Sequence, residues 1–269
     1  MIKNFKKIFP YFFLTIASLI SVFPLLYMFT SATNKSVDVI RGRLLPGTYL
    51  FENLKNLLNG RAIGTALTNS FKYALILTML SLLICSLAGY GFEIYHDKAK
   101  DITMSILLLA MMVPFVATMI PLFQMFTKAK LLNSTLGFVL PTISTPFMIM
   151  FFRQSARAFP SDMIEAAKID GLNALQIFFY MFVPTMRSTF AAAATIVFMN
   201  GWNNYLWPKV IMLTDDGVTM PMVVANLTAG YVTDYGMLML AVSICTLPTV
   251  IVFLVLQKSF AEGITGTVK

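Results

Sequence analysis

The chain has 269 residues, of which 58% are hydrophobic and only 12% are charged. Soluble domains carry about 25% charged residues because their surfaces face water, so this composition excludes an ordinary soluble domain and predicts an integral membrane protein. The net charge of +8 is spread singly or in pairs at the ends of apolar runs. That distribution is typical of anchors at the headgroups of a lipid bilayer and not of a nucleic-acid-binding surface.

Six uncharged runs divide the chain, and each reaches the roughly 20 residues that an α-helix needs to cross about 30 Å of hydrocarbon. The predicted spans lie at approximately residues 9–31, 70–93, 102–127, 135–156, 184–208 and 235–258. Two further uncharged runs, Gly171–Met186 and Gly217–Thr233, contain proline, and eight spans remain an alternative. We therefore predict an all-α polytopic membrane protein, with residues 1–269 forming one transmembrane domain of six helices.

The N-terminus resembles a signal peptide, because Lys3, Lys6 and Lys7 precede the apolar run Ile8–Asn34. That run is longer than the roughly 7–15 apolar residues of a cleaved signal, so we expect an uncleaved first span. An even number of spans places both termini on one side of the membrane. The three lysines favour the cytoplasmic side.

The sequence offers no catalytic or metal-binding constellation. It contains no G-x-x-x-x-G-K-[ST], H-E-x-x-H or G-x-S-x-G motif, and no ionisable residue lies in the middle of a predicted span, where ion-coupled transporters commonly place one. His96 lies in a charged hairpin and is expected to be solvated, while Cys85 and Cys245 are expected to be core thiols. Any uphill transport must therefore draw its energy from a partner.

The loop between the fourth and fifth predicted spans, approximately residues 157–183, contains strong local signals. We expect Ser161 to cap a short helix, and Gly171 to end it in a left-handed conformation. A second helix is expected to start near Asn173 and run towards Pro184. Two interpretations fit this segment: a docking surface for a neighbouring protein, or an ordinary amphipathic connector.

The same loop carries a longer pattern: Glu165-Ala166-Ala167, two residues, Asp170-Gly171, and then Pro184. This pattern resembles the EAA loop of ABC-importer permeases. Similar stretches follow over nearly the whole chain, namely Met112-Val113-Pro114, Ile120-Pro121-Leu122-Phe123, Leu131-Leu132-Asn133-Ser134, Phe152-Arg153-Gln154, Trp202–Pro208 and Gly263-Ile264-Thr265. Together they resemble the smaller, second permease of the carbohydrate-uptake type, the maltose and multiple-sugar group. One departure is Asn203-Asn204, where many relatives have Asn-Asp.

The resemblance implies a set of partners and a location. The partners are a homologous second permease, a cytoplasmic ATPase dimer, an extracellular sugar-binding protein and a carbohydrate substrate. ATP and magnesium would be bound by the ATPase, with no cofactor and no enzymatic activity on this chain. The protein would lie in a bacterial or archaeal plasma membrane, with both termini and the EAA loop in the cytoplasm.

Within the EAA loop, the resemblance implies that five residues couple the permease to the ATPase: Glu165, Ala166, Ala167, Asp170 and Gly171. Glu165 would offer a carboxylate to the ATPase, and the two alanines would allow close docking. Gly171 would hold the turn. For Asp170 two roles stay open, bracing the turn or contacting the partner.

A sugar path needs hydrogen-bonding side chains and aromatic faces, and candidates occur in the fourth and fifth predicted spans. They are Ser144, Phe147, Asn200, Gly201 and Asn204. Asn200 and Asn204 are four residues apart, which places them on one face of a helix. The alternative is that both asparagines join helices to one another, with Trp202 and Trp207 forming an interfacial belt.

The C-terminal tail follows the sixth predicted span. By resemblance to related permeases, this flexible, glycine-bearing strand is expected to contact the ATPase dimer through Ile264, Thr265, Gly266, Thr267 and Val268. The alternative is a frayed end, as at most termini.

A protein of a different class would also have six uncharged runs: a self-sufficient secondary carrier or channel built from six-span units. The lack of ionisable groups within the spans argues against ion coupling. A neighbouring gene for a second permease with an EAA loop would decide between the two classes.

Overall fold

The computed structural model describes residues 2–59, 62–230 and 232–265, with the backbone alone for residues 2–9 and 258–265. Every regular secondary-structure element in these described residues is a helix. The α-helices are α1 Ile2–Ser31, α2 Ser36–Ile40, α3 Leu50–Leu58, α4 Ile63–Ile94, α5 Lys98–Ala110, α6 Phe115–Lys128, α7 Thr135–Val139, α8 Pro146–Ala156, α9 Ser161–Ile169, α10 Ala174–Ile177, α11 Val183–Thr185, α12 Arg187–Trp202, α13 Leu206–Ile211, α14 Met220–Leu227 and α15 Tyr235–Thr265.

Three of the described helices are long and apolar enough to cross a membrane unbroken: Pro10–Ser31, Ile63–Ile94 and Tyr235–Gln257. Three further candidates are pairs of helices bent at a short break. The bends are 98° between α5 and α6, 56° between Thr135–Thr142 and α8, and 83° between Ala174–Thr185 and Arg187–Ile211. The fold therefore supplies between three and six spans, and the predicted third, fourth and fifth spans each contain a break.

Proline and capping residues account for two of these breaks. Pro114 is the N-cap residue of α6, and Pro146 is the first residue of α8, where the hydroxyl of Thr145 accepts the Met148 N–H at 3.3 Å. A proline has no N–H and disfavours a helical conformation at the residue before it. A new helix with its own N-cap then begins.

The chain divides into two units. The first comprises Met1–Ile63 with Met222–Pro248. Within it, the Asn53 side chain donates to the carbonyl oxygens of Ala32 at 2.9 Å and Asn34 at 3.0 Å. The Ser36 hydroxyl accepts the Tyr235 N–H at 3.0 Å. These bonds tie the segment after α1 to α3 and to the start of α15.

The second unit comprises Gly64–Pro221 with Thr249–Lys269, and small residues set the helix spacing inside it. A Cβ atom added at Gly89 on α4 would lie 2.6–2.7 Å from the backbone and Cβ atoms of α8. A Cβ atom added at Gly201 on α12 would lie 3.1 Å from Leu77 and 3.3 Å from Ala74, both on α4. Glycine therefore lets α8 and α12 approach α4 at backbone distance, as at helix crossings in membranes.

Both tryptophans lie in this core. Trp202 and Trp207 are 1% and 0% exposed, and the Trp207 Nε1–H donates to the Gly137 carbonyl oxygen at 2.9 Å. An interfacial belt would leave the rings at the protein surface, so the structure excludes that role for them. Hydropathy alone does not distinguish a tryptophan buried in protein from one at the lipid surface.

Candidate functional site

The segment 157–183, here called the coupling segment, folds as two short helices joined by a glycine turn. The helix α9 ends at Ile169, and Gly171 has a φ of +84°, which confirms the predicted left-handed residue. Asn173 and Gln176 then form a reciprocal capping box at the start of α10. Both local predictions hold because capping and turn conformations depend on the nearest residues.

The expected role of Ser161 as the helix cap is wrong. Ser161 is the first residue of α9, the N-cap position is Pro160, and no side chain caps the helix there. The Ser161 hydroxyl instead donates to the Asp162 carboxylate at 3.4 Å. A proline that precedes a helix already has a favourable extended conformation, with a ψ of 128° at Pro160.

One face of the coupling segment is buried within the chain. Ile164, Ala167 and Ile177 are 8%, 2% and 1% exposed, and they belong to a cluster that includes Tyr90 of α4 and Ala156 of α8. Ala167 therefore packs against this chain's own core. The buried face of the segment thus packs against residues of α4 and α8.

The other face is uncovered. Glu165, Ala166 and Asp170 are exposed. Apolar side chains lie exposed in the same segment, with Ile169 at 86%, Tyr180 at 72% and Leu175 at 61% exposure. On a surface that faces water, large exposed apolar side chains beside polar ones mark protein interaction sites. The roles in ATPase coupling expected of Glu165, Ala166 and Asp170 stay predictions.

An ion-pair network that the sequence did not indicate lies beside the coupling segment. Arg153 on α8 is 4% exposed. Its guanidinium donates to Glu93 of α4 at 3.0 Å and to Asp101 of α5 at 2.6 Å. Arg157 donates to the second oxygen of Glu93 at 3.0 Å, and His96 hydrogen-bonds Asp101 at 2.9 Å. The available signal was a lone arginine inside the predicted span 135–156, because a buried charge requires a partner.

The start of α5 is fixed by a separate acid. The Asp97 carboxylate accepts the Lys100 N–H at 2.8 Å as an N-cap and also pairs with the Lys100 ammonium. The side-chain hydrogen bond from Lys100 lowers the pKa of Asp97 below its ordinary value. This cap holds α5 in place, with Asp101 one turn further along.

A cavity of about 460 Å³ lies among helices α4, α6, α8 and α12. It is lined by Leu77, Ser81, Phe115, Thr142, Thr145, Phe147, Met148, Val197, Asn200 and Asn204. Three predicted sugar-path residues, Phe147, Asn200 and Asn204, therefore share one cavity. The remaining two, Ser144 and Gly201, do not line it, and Gly201 packs against α4.

The polar groups of the cavity are only partly satisfied. In the part of the chain that the structure describes, the side chain of Asn200 has no hydrogen-bond partner, and neither has the buried hydroxyl of Thr142. The Asn204 Oδ1 accepts the Trp207 N–H at 3.4 Å, which leaves its Nδ2 group without a partner in that part of the chain. Asn200 therefore forms no interhelical hydrogen bond within the described residues. Thr142 was missed because it lies on a short 3₁₀ segment, Leu140–Thr142, far from α12 in sequence.

The tail prediction falls largely outside the described residues. The helix α15 continues to Thr265 and so includes the backbone of Ile264 and Thr265, whereas Gly266, Thr267 and Val268 lie outside the described part. A strand was expected here, and the backbone is helical as far as Thr265. Extending a formed helix avoids the cost of nucleating a new one.

Apolar spanning helices, broken helix pairs, a cavity that contains several polar groups and an uncovered face on the coupling segment are together typical of a helical membrane transport subunit. The chain belongs to the family described as binding-protein-dependent transport system inner membrane component, whose model matches residues 81–266. The chain is therefore one component of a multi-part transport system of the inner membrane. That membership excludes the alternative of a self-sufficient carrier or channel.

Similar proteins cover almost the entire chain. It is 44% identical over 267 residues to the lactose transport system permease protein LacG of Rhizobium radiobacter, covering 99% of this chain and 98% of that one. It is 34% identical over 263 residues to the arabinooligosaccharides transport system permease protein AraQ of Bacillus subtilis (strain 168), covering 96% and 94%. These relatives confirm the resemblance to carbohydrate-uptake permeases.

A solved structure shares the fold. It is the crystal structure of a bacterial ABC transporter involved in the import of the acidic polysaccharide alginate, with a TM-score of 0.81 and 22% sequence identity. The similarity covers 96% of this chain and 97% of the other. The two chains therefore share their overall fold.

Proposed function

We propose that this chain is one of two permease subunits of an ATP-driven carbohydrate importer, and that it provides half of the sugar path. The observation that carries the proposal is the coupling segment, which is buried on one face and uncovered on the other. Glu165 and Ala166 lie on the uncovered side together with exposed apolar residues. A cytoplasmic ATPase dimer that covers this surface would bury the apolar groups and pair the carboxylate.

The buried face of the segment gives the proposal a mechanical basis. Ile164 and Ile177 pack into the same cluster as Tyr90 on α4 and Met186, which immediately precedes α12. Close-packed interiors are rigid and transmit displacement. When ATP closes the ATPase dimer, movement of α9 therefore passes into the helices that line the cavity, which is the coupling that alternating access requires.

The residues that line the cavity suit a polar, ring-shaped substrate. Phe147 offers a half-exposed aromatic face, and Asn200, Asn204 and Thr142 offer polar groups for hydroxyls. The names of LacG and AraQ point to di- or oligosaccharides as the first substrates to test. The second permease would complete the path, and an extracellular binding protein would deliver the sugar.

The proposal includes a topology and a division of labour. The coupling segment and both termini lie in the cytoplasm, six spans cross the plasma membrane of a bacterium or archaeon, and the ATPase binds ATP and magnesium. Asp170 and Gly171 maintain the turn, and Glu165 and Ala166 make the contact. A tail contact of Ile264–Val268 with the ATPase stays part of the proposal.

The test is a charge reversal on the coupling surface, with a matched reversal elsewhere. Glu165→Lys should abolish ATPase co-purification and uptake of labelled lactose or arabinooligosaccharides, because a cation would meet a surface built for a carboxylate. Glu52→Lys, at an exposed position of α3, should leave both unchanged. Membrane insertion and pairing with the second permease should be normal in both variants.

Wild-type uptake and co-purification in Glu165→Lys would show that the segment is only a connector. If the wild-type chain binds the ATPase but restores the uptake of no carbohydrate in a deletion strain, the proposed substrate class is refuted. The two parts of the proposal are therefore tested separately.

A further inference from the structure

A basic cavity lies directly after the first membrane helix, in a stretch to which the proposed function assigns no role. Its volume is about 550 Å³, and its lining belongs to residues 34–49. The charged lining residues are Lys35, Asp38, Arg41 and Arg43. Three cations against one carboxylate leave a net charge of +2, so the cavity suits an anion.

The three cations differ in how they are held. An Arg43 guanidinium nitrogen lies 3.5 Å from the Asp38 carboxylate, and the Lys35 ammonium lies 4.5 Å from the centre of the Tyr49 ring. The Arg41 side chain has no ion-pair or hydrogen-bond partner among the residues that the structure describes. A guanidinium presents paired N–H donors that match the oxygens of a phosphate.

Hydrogen bonds fix the walls of this cavity. Asn34 is 1% exposed, and its Nδ2 donates to the Leu45 carbonyl oxygen at 3.0 Å. Thr33 accepts the Gly47 N–H on its hydroxyl and the Tyr49 N–H on its carbonyl oxygen, both at 2.8 Å. The loop that carries the cations is therefore tied to the end of α1. The cavity is preformed, and binding does not have to order the loop.

The position of the cavity along the chain places it in the headgroup layer. The span Pro10–Ser31 has 22 residues, about 33 Å at roughly 1.5 Å per residue, which matches a hydrocarbon core of about 30 Å. No charged residue lies between Lys7 and Lys35. Lys35 is thus the first charge beyond the hydrocarbon, whichever side of the membrane it faces.

We propose that this cavity binds the phosphate of an anionic phospholipid headgroup, with Arg41 and Arg43 on the phosphate oxygens and Lys35 beside them. The aliphatic surface of the same stretch favours a lipid over an acidic protein. Its exposed side chains are Val37, Ile40, Leu44 and Leu45, at 54–70% exposure. At the edge of the bilayer these side chains reach the acyl region while the cations stay at the phosphates.

The test uses the assembled transporter, with all its subunits, in nanodiscs that contain equimolar phosphatidylglycerol and phosphatidylcholine. After transfer to mild detergent, mass spectrometry measures the ratio of the two lipids that remain bound. The variants are Arg41→Gln alone and Arg41→Gln with Arg43→Gln. The matched control is Lys55→Gln, which removes an exposed cation of α3 that does not line the cavity.

The wild type and the control should retain phosphatidylglycerol in preference to phosphatidylcholine. The preference should fall about fivefold for each arginine removed, hence about 25-fold in the double variant. Arg41→Gln breaks no hydrogen bond or ion pair among the described residues, so its result stands even if the double variant folds poorly. An unchanged lipid ratio in Arg41→Gln overturns the proposal. So does a loss of binding-protein affinity without a change in lipid ratio, which would assign the cavity to an acidic protein surface.

Discussion

Replacing Arg153 by methionine should destabilise the second unit by about 2–3 kcal/mol. Removing one partner of a buried ion pair costs about 3–5 kcal/mol when the remaining charge is left uncompensated. The side chains of Glu93 and Asp101 are 18% and 45% exposed, so water recovers part of the lost interaction. Glu93 also keeps Arg157. We assign about 2 kcal/mol to the Glu93 pair and less than 1 kcal/mol to the more exposed Asp101 pair.

A thiol assay measures this loss, because Cys85 on α4 is 0% exposed. In a Cys245→Ala chain with cysteine-free partner subunits, a fluorogenic maleimide reacts only when the helices around Cys85 open. At roughly 2–4 °C per kcal/mol, Arg153→Met should lower the transition temperature by about 4–12 °C. The control Arg157→Met, at a position 51% exposed, should shift it by less than about 4 °C.

A double-mutant cycle gives the decisive result. Because Arg153→Met and Glu93→Gln remove the same interaction, the double variant should be about 2 kcal/mol more stable than the sum of the two single losses predicts. If the losses simply add, the two residues do not interact energetically. The Arg153–Glu93 pair would then make no contribution of its own to stability.

Two further predictions concern α12. Asn200→Leu should reduce transport per assembled complex about five- to a hundredfold, because a bound sugar hydroxyl that loses its hydrogen-bond partner costs about 1–3 kcal/mol. Reduced assembly with normal transport per complex would instead indicate a bond to the second permease. Gly201→Leu should cost about 1–3 kcal/mol by overpacking against α4, measured as a lower transition temperature in the same thiol assay. The control Gly64→Leu, with nothing within 4 Å of an added Cβ, should cost less, and equal losses would refute the close-packing argument.

The sequence predicted the helical class and the coupling turn, because both depend on local signals. Apolar runs identify helices that can cross lipid, and Gly171 and Asn173 determine their own turn and cap. The bends between helices were not predicted. Pro114 and Pro146 indicate where a helix breaks, but the angle depends on how each half packs against its neighbours.

Three of the residues that line the candidate cavity were predicted, but helical periodicity does not fully explain why the two asparagines lie together. Asn200 and Asn204 were placed together by helical periodicity, yet α12 ends at Trp202 and Asn204 lies beyond it. They still line one cavity because the chain turns into α13. Ser81 and Thr142 come from distant parts of the sequence, and no periodicity relates them to α12.

The Arg153 network could not be found from local patterns, because its partners are 60 and 52 residues away. This network and the buried cluster that includes Tyr90 and Ala156 together attach the coupling segment to the membrane helices. Tyr90 and Glu93 lie one turn apart near the end of α4, the first in the apolar cluster below α9 and the second on Arg153 of α8. Apolar packing is non-directional and allows one helix to slide on another, whereas charged hydrogen bonds require a fixed geometry. The cluster therefore packs α9 against α4, and the ion pairs fix the rotation of α4 against α8. In the proposed mechanism, a displacement of α9 would therefore move both helices as one body.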